Sequence, residues 1–299
     1  MSLLEKIRFL LLISRPAFWP LIIVGYTIGI LSSGGSFGLY ELFNLFFLTF
    51  PFCFFMFAIN DVYDLETDFD NPRKKNPLWG ATLNKADVSF VKGFSFLMAF
   101  AVFLYSLLSN NIVHIGTTLF CLVAMYLYSS PPFRIKSIPV LDSLFNCLFG
   151  FGPFAIGYSL FGGIGFLNTA FIFFSFTFSA AHAIFAVVDL DEDKKANVNT
   201  FATVFGPRIP ILFALAVLAL NIPFTLLVLK SASVVLILYC LLLCFLFLFP
   251  SSNNARFVCN CMMLIVLLWM VFVPIAWIYG IESPNLYWII NPKPFPSFP

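Results

Sequence analysis

Long apolar runs decide most of what this chain can become. They lie near residues 12–31, 40–59, 92–108, 112–128, 140–160, 166–188, 209–229, 231–249 and 257–279. A helix needs about 20 residues to cross a hydrocarbon core of about 30 Å, and these runs are close to that length. Inside lipid every backbone N–H and C=O must be satisfied within its own segment, which makes helices the solution for such runs. Hydrophobic residues are 61% of the chain and charged ones 10%, against roughly 25% charged in an average soluble domain. The expectation is an all-α, polytopic membrane protein of nine transmembrane helices. No linker or internal repeat divides the sequence, so residues 1–299 read as a single transmembrane domain.

Lys6 and Arg8 precede the first run as they would in a signal peptide. Arg15 and Pro16 interrupt that run, however, and no small-residue cleavage pattern follows, so it reads as a retained first helix. The net charge of +2 and the absence of a basic cluster with interleaved aromatics exclude a nucleic-acid partner. The seven cysteines all sit in apolar segments without metal-ligand spacing, and read as packing residues of the lipid phase.

The polar residues are distributed unevenly. Fourteen of the sixteen Lys and Arg residues lie before or at the start of the first run or between the second and third, fourth and fifth, sixth and seventh, and eighth and ninth, counting Arg15 and Lys92 at the run edges, leaving Lys230 and Lys293 opposite. By the positive-inside rule that face is cytoplasmic, with the N-terminus inside. Ten of the fourteen acids cluster in the loops after the second and sixth runs. Two acidic groups are therefore expected at one cytoplasmic mouth.

Their spacing is chemically suggestive. Asp61, Asp64 and Asp68 would line one face of a helix extended beyond the second run, with Asn60 beside them. Asp189 and Asp193 form an i, i+4 pair that also shares a face and, as like charges, costs a few tenths of a kcal/mol without a cation. Carboxylate oxygens are hard ligands suited to Mg²⁺, which usually takes one or two carboxylates together with substrate phosphates. Two such helix ends describe a Mg²⁺-diphosphate clamp. Arg73, Lys74 and Lys75 beside the first group, Arg134 and Lys136 after the fourth run, and Lys194 and Lys195 beside the second group would meet the remaining phosphate charge.

These residues resemble the UbiA-type membrane prenyltransferase superfamily. NDVYDLETD at 60–68 matches its Asn-Asp-x-x-Asp-x-x-x-Asp motif at every fixed position, and DLDED at 189–193 supplies the Asp-x-x-x-Asp of the second motif. Within the superfamily, YSSPPFRIKSIPVLDS at 128–143 and SAAHAIFAVVDLDEDKKANVNTFATVFGPR at 179–208 look most like the lycopene elongase branch, which adds five-carbon units to carotenoid ends. Two departures stand out. Pro132 occupies the place of the tyrosine in the superfamily's Tyr-x-x-x-Lys motif, with Tyr128 the nearest upstream tyrosine. Asn76 stands before Pro77 where many members have Arg, leaving that phosphate contact missing or supplied by Lys74 or Lys75.

The resemblance implies a nine-helix α-bundle around a central cavity that binds an allylic prenyl diphosphate and a lipophilic acceptor. Asp61, Asp64, Asp68, Asp189 and Asp193 would be the catalytic metal ligands. Asn60, Arg73, Lys74, Arg134, Lys136 and Lys194 would bind the diphosphate. The allylic C–O bond would ionise, and an electron-rich acceptor would attack. His182 lies seven residues before Asp189, on the same face, and is a candidate acceptor contact or proton acceptor. Asp142 and Asn146, spaced i, i+4, read as caps of the fifth helix.

Two other classes fit less well. A transporter would place ionisable groups near the bilayer midplane, whereas these acids sit at helix ends. A CDP-alcohol phosphotransferase would carry Asp-Gly-x-x-Ala-Arg, which is absent, as is a P-loop. Inside the superfamily, an aromatic acceptor of quinone biosynthesis is the alternative to a carotenoid.

Overall fold

The computed structural model describes residues 3–65, 81–163, 169–195, 197–228 and 230–278. Among them every regular element is a helix. They are α1 (Leu3–Ile13), α2 (Trp19–Ser32), α3 (Leu39–Phe47), α4 (Cys53–Tyr63), α5 (Val88–Leu107), α6 (Ile112–Ser129), α7 (Leu141–Phe145) and α8 (Cys147–Tyr158). Then come α9 (Thr169–Val188), α10 (Leu190–Lys195), α11 (Phe201–Phe205), α12 (Arg208–Val228), α13 (Lys230–Leu248) and α14 (Ser252–Ile278). Among the described residues five helices are long and apolar enough to cross a membrane, or up to six if the bent pair Leu4–Ile13 and Pro16–Ser32 is one span.

The breaks have local causes that hydropathy does not register. The first apolar run bends by 45° because Pro16 disfavours helical backbone at the residue before it, and Arg15 turns left-handed at φ 50°. In the second run α3 passes through a wide π turn, Leu48–Phe52, into α4. Pro51 lies in that turn and has no N–H to give the ladder. In the fifth run Asn146 donates its side-chain amide to the carbonyl of Asp142 at 2.6 Å. That bond competes with the backbone ladder and separates α7 from α8.

The chain folds as two compact units, Met1–Ile135 with Gly152–Gly165, and Lys136–Phe151 with Phe166–Pro299. In the first unit α2 and the C-terminal half of α8 meet backbone to backbone. A Cβ on Gly29 would strike the carbonyl of Phe154, and one on Gly157 the carbonyl of Tyr26. Small residues at the crossing are the usual means of close helix approach in lipid. Ile13, Phe54, Ala58, Leu83 and Val91 form a buried cluster beneath the end of α4.

In the second unit α9, α12, α13 and α14 close a core through residues such as Ala183, Ile184, Val187, Ala214, Leu218, Leu236, Leu243 and Val258. Outward-facing leucines, among them Leu220, Leu241 and Leu264, stand exposed. An exposed apolar surface of this extent suits lipid rather than water.

Candidate active site

In the first unit the acidic motif sits where α4 ends. Of the helix expected through residues 60–68, α4 ends at Tyr63, with Asp64 as its cap at φ −104°, ψ 7°, and Leu65 is again helical; residues 66–68 lie outside the described residues. Arg134 sits at this break. Its guanidinium donates to the Tyr63 carbonyl at 3.3 Å and to Asp64 Oδ1 at 3.0 Å, so it takes a carbonyl that a continuing helix would use and holds the adjacent carboxylate. A cation at a helix C-terminus also complements the helix dipole.

Asp61, three residues earlier, is only 4% exposed. Its Oδ1 accepts from Arg15 at 2.7 Å. The same guanidinium lies 4.4 Å from the centre of the Phe57 ring, a cation–π contact, and Phe18 packs against that ring. Asn60 Oδ1 accepts from the Ser129 hydroxyl at 3.4 Å, which fastens the end of α6 to the motif. Lys92 lies 5.1 Å from the Tyr63 ring.

The two arginines that hold Asp61 and Asp64 share a feature. Both have left-handed backbones, Arg15 at φ 50° and Arg134 at φ 37°. For a residue with a Cβ this costs about 1–2 kcal/mol, and such outliers cluster where side chains must be aimed. Asp68, Arg73 and Lys74, expected in the same site, lie outside the described residues.

In the second unit Asp189 follows α9 directly, and the Asp193 N–H donates to the Asp189 carbonyl at 2.8 Å. The two aspartates are therefore on successive turns of one face, as their spacing implies. Asn197, left-handed at φ 53°, ends this helix: its N–H bonds the Lys194 carbonyl, and the Val198 N–H bonds that of Asp193. This is the Schellman arrangement. Lys194 lies exposed in the last turn of α10, and Lys136 occupies a short 3₁₀ turn, Ile135–Ser137. Glu192 is tied to the start of α14 by Arg256 at 2.6 Å.

Asp142 caps a different helix from the expected one. Its Oδ2 accepts from the N–H of Phe201, the first residue of α11, at 3.1 Å, and its Oδ1 from the adjacent Ser143 N–H. The carboxylate is 1% exposed and secures the segment that follows the second motif. On α9, His182 Nδ1 lies 3.3 Å from Ser143 Oγ, and the Ser143 carbonyl accepts from Ser179 Oγ at 2.8 Å. Ser143 and Ser179 are both fully buried.

Sequence reading had not assigned Arg15, Ser143, Ser179 or Arg256 to the site. Arg15 carried a signal, a charge inside an apolar run before a proline; the two serines carried none. Among the described residues no group of three His, Cys, Asp or Glu side chains stands close enough to hold a metal ion.

Residues 18–257 match the model of the UbiA prenyltransferase family. The chain is 33% identical over 213 residues to a lycopene elongase/hydratase of Corynebacterium glutamicum, covering 69% of this chain and 72% of that protein. It is 29% identical over 208 residues to the C(50) beta-cyclic carotenoids biosynthesis protein LbtBC of Dietzia sp., covering 68% of this chain. It spans less than half of that protein, 47% of its length. The fold matches a solved UbiA homolog from Archaeoglobus fulgidus bound to DMAPP and Mg²⁺, with a TM-score of 0.64 at 22% identity, over 86% of this chain and 99% of that one. With an all-helical fold of apolar spans, an acidic motif at the end of α4 and a second after α9, the chain belongs to the UbiA prenyltransferase family and is an integral membrane prenyltransferase.

Proposed function

We propose that this enzyme transfers an allylic prenyl group from its diphosphate to the end of an uncharged polyene of the carotenoid type. The observation that carries the proposal is the state of the first motif. Its two described carboxylates, Asp61 and Asp64, are each held by an arginine at the end of an apolar span. No Lys or Arg lies in α4, α6, α7, α8 or α9. An acidic aromatic acceptor would need a buried cation, because an unpaired buried carboxylate costs several kcal/mol. Arg15 is already neutralised by Asp61. The elongase/hydratase relative from Corynebacterium supports the same acceptor class.

The donor set fits a hard divalent cation. The motif residues offer carboxylates without thiol or imidazole, and Arg15 and Arg134 each take one oxygen of Asp61 and Asp64 respectively. Asp61, Asp64, Asp68, Asp189 and Asp193 would hold Mg²⁺, Asp61 through the oxygen that Arg15 does not take. A divalent cation held by these carboxylates would supply charge neutralisation of the diphosphate, so that it could depart as a leaving group. Asn60, Arg73, Lys74, Arg134, Lys136 and Lys194 would bind the phosphate oxygens. The allylic C–O bond breaks, its electron pair leaving with the diphosphate, and the terminal double bond of the acceptor forms the new C–C bond. His182 would stand at the acceptor. Apolar helix walls keep water from the cation until that bond has formed.

The bent first pair, α3 with α4, α5, α6, α7 with α8, α9, α12, α13 and α14 would make nine crossings around the cavity. We put the N-terminus and both acidic loops in the cytoplasm, because fourteen of the sixteen basic residues then lie there. The test is to incubate membranes containing the protein with DMAPP and either lycopene or 4-hydroxybenzoate. Prenylated lycopene is expected; a prenylated benzoate with lycopene untouched would overturn the acceptor assignment and leave prenyl transfer standing.

A further inference from the structure

We infer that His182 is the proton acceptor that ends the reaction, with Ser143 as the residue that sets its tautomer; the inference rests on the polyene acceptor proposed above. Once the new C–C bond forms, the positive charge moves to a tertiary carbon of the acceptor. Two exits neutralise it. A proton leaves the neighbouring carbon and its C–H pair becomes a new double bond, or a water oxygen bonds to the cation and the water gives up a proton. Either exit releases one proton inside an apolar site, and it needs a base within reach.

Within α9 the only titratable side chain is His182. Phe178, His182, Phe185 and Asp189 are all half-buried, while Ser179, Ala180, Ala183, Ile184, Ala186, Val187 and Val188 are buried. At 100° per residue these four, together with Thr177 and Ala181, which are half-buried as well, form one stripe about 140° wide that runs down the helix to the second motif. His182 stands on that stripe about 10 Å above Asp189, seven residues at 1.5 Å each. It therefore shares the face of the carboxylates, at a depth where the far side of the reacting carbons would lie.

The imidazole is oriented from behind. Its Nδ1 lies 3.3 Å from Ser143 Oγ. Ser143 is itself fixed, since its carbonyl accepts from Ser179 Oγ and its N–H donates to Asp142. With Ser143 Oγ accepting from Nδ1–H, Nε2 is the basic nitrogen, and the neutral ring becomes imidazolium on taking the proton. The proton then passes to water after product release.

A tertiary cation loses a proton readily once any acceptor is near, and ionisation of the diphosphate remains the slow step. Removing the base should therefore change which exit is taken more than how fast substrate is consumed, and the rate effect should fall below the usual 10²–10⁴ of general-base catalysis. The experiment uses the purified full chain with DMAPP, Mg²⁺ and lycopene, measuring DMAPP consumption and, by chromatography and mass, the ratio of alcohol to alkene products and the alkene isomers.

For His182→Gln and His182→Ala the expected result is a shift of about threefold or more in the product ratio, with consumption within about tenfold of the unmodified enzyme. Ser143→Ala, which keeps the imidazole, should shift the ratio in the same direction by less, and carries the test should the His182 variants fail to fold. An unchanged ratio at normal turnover overturns the role of His182 alone. Lost turnover in a His182 variant with an unchanged melting temperature also overturns it, because the residue then acts before the exit. Wild-type enzyme that prenylates 4-hydroxybenzoate and leaves lycopene untouched overturns both readings, since an aromatic ring has a single exit.

Discussion

Arg15 shows how much a single side chain can carry in a membrane site. Its charge counts toward topology when read from sequence, yet the fold turns its backbone left-handed and buries its guanidinium against Asp61 and Phe57. Breaking a buried ion pair by removing one partner costs about 3–5 kcal/mol, because the other charge is left uncompensated, while replacing both by apolar residues is often close to neutral. Arg15→Met is therefore expected to lower the unfolding midpoint of the purified protein markedly, and Arg15→Met with Asp61→Leu to restore most of it. Equal losses in the single and double variants would show that the pair is not a buried ionic unit. This partnership was not legible in the sequence, because 46 residues separate the two and nothing local couples them. Arg134 drew attention in the sequence through its neighbourhood to Lys136 and the end of the fourth run, but its hold on Asp64 at the end of α4 depends on tertiary contact.

Helices were far easier to read than their interruptions. Lipid forces each spanning segment to satisfy its own backbone, so apolar length alone locates α5, α6, α12 and α13 to within a few residues. The angle at Arg15 and the break at Asn146 escape that logic because they come from one left-handed residue and one side-chain amide. His114, to which sequence reading assigned nothing, lies in a network of the same hidden kind: its imidazole bridges the Tyr40 hydroxyl and the Ile156 carbonyl, and Tyr40 stacks on Tyr105. At the other end of the chemistry, α11 has five residues, too few to persist unaided. The Asp142 carboxylate holds its first N–H, and Thr203 Oγ1 accepts from the N–H of Thr200 at 2.7 Å. Loss of a helix cap costs about 1 kcal/mol, and buried donors left unsatisfied add about 1–3. Asp142→Ala should accordingly lower the melting temperature and expose the chain between Lys195 and Gly206 to proteolysis, whereas Asp142→Asn, which keeps a carbonyl acceptor, should do less of both. Protease resistance unchanged in Asp142→Ala would mean that the segment is held by its packing alone.

For the whole molecule, composition and the length of the apolar runs settled the class early, and the two acidic motifs pointed to the chemistry; how their side chains are held came only from the fold. Each compact unit carries one motif, and the proposal that both serve one diphosphate has a thermodynamic signature. If Asp64 and Asp189 contribute to a single metal-diphosphate complex, losing either removes the same interaction, and their effects cannot multiply. If each motif performs a separate task, the two losses combine as a product. Asp64→Asn and Asp189→Asn should each reduce turnover of DMAPP by at least about 10³-fold, in line with losing one essential part of a preorganised charge-stabilising site. The double variant should then be no worse than either single one. Excess chelator should reduce the wild type to the same floor, and added Mg²⁺ should restore it while leaving the variants inactive. The melting temperature should stay level or rise in Asp189→Asn, where removing one like charge of the i, i+4 pair with Asp193 relieves repulsion, and fall slightly in Asp64→Asn, which gives up the partly exposed pair with Arg134. A double variant far below both single ones, or full activity in chelator, would separate the motifs into independent roles and remove the shared-diphosphate mechanism.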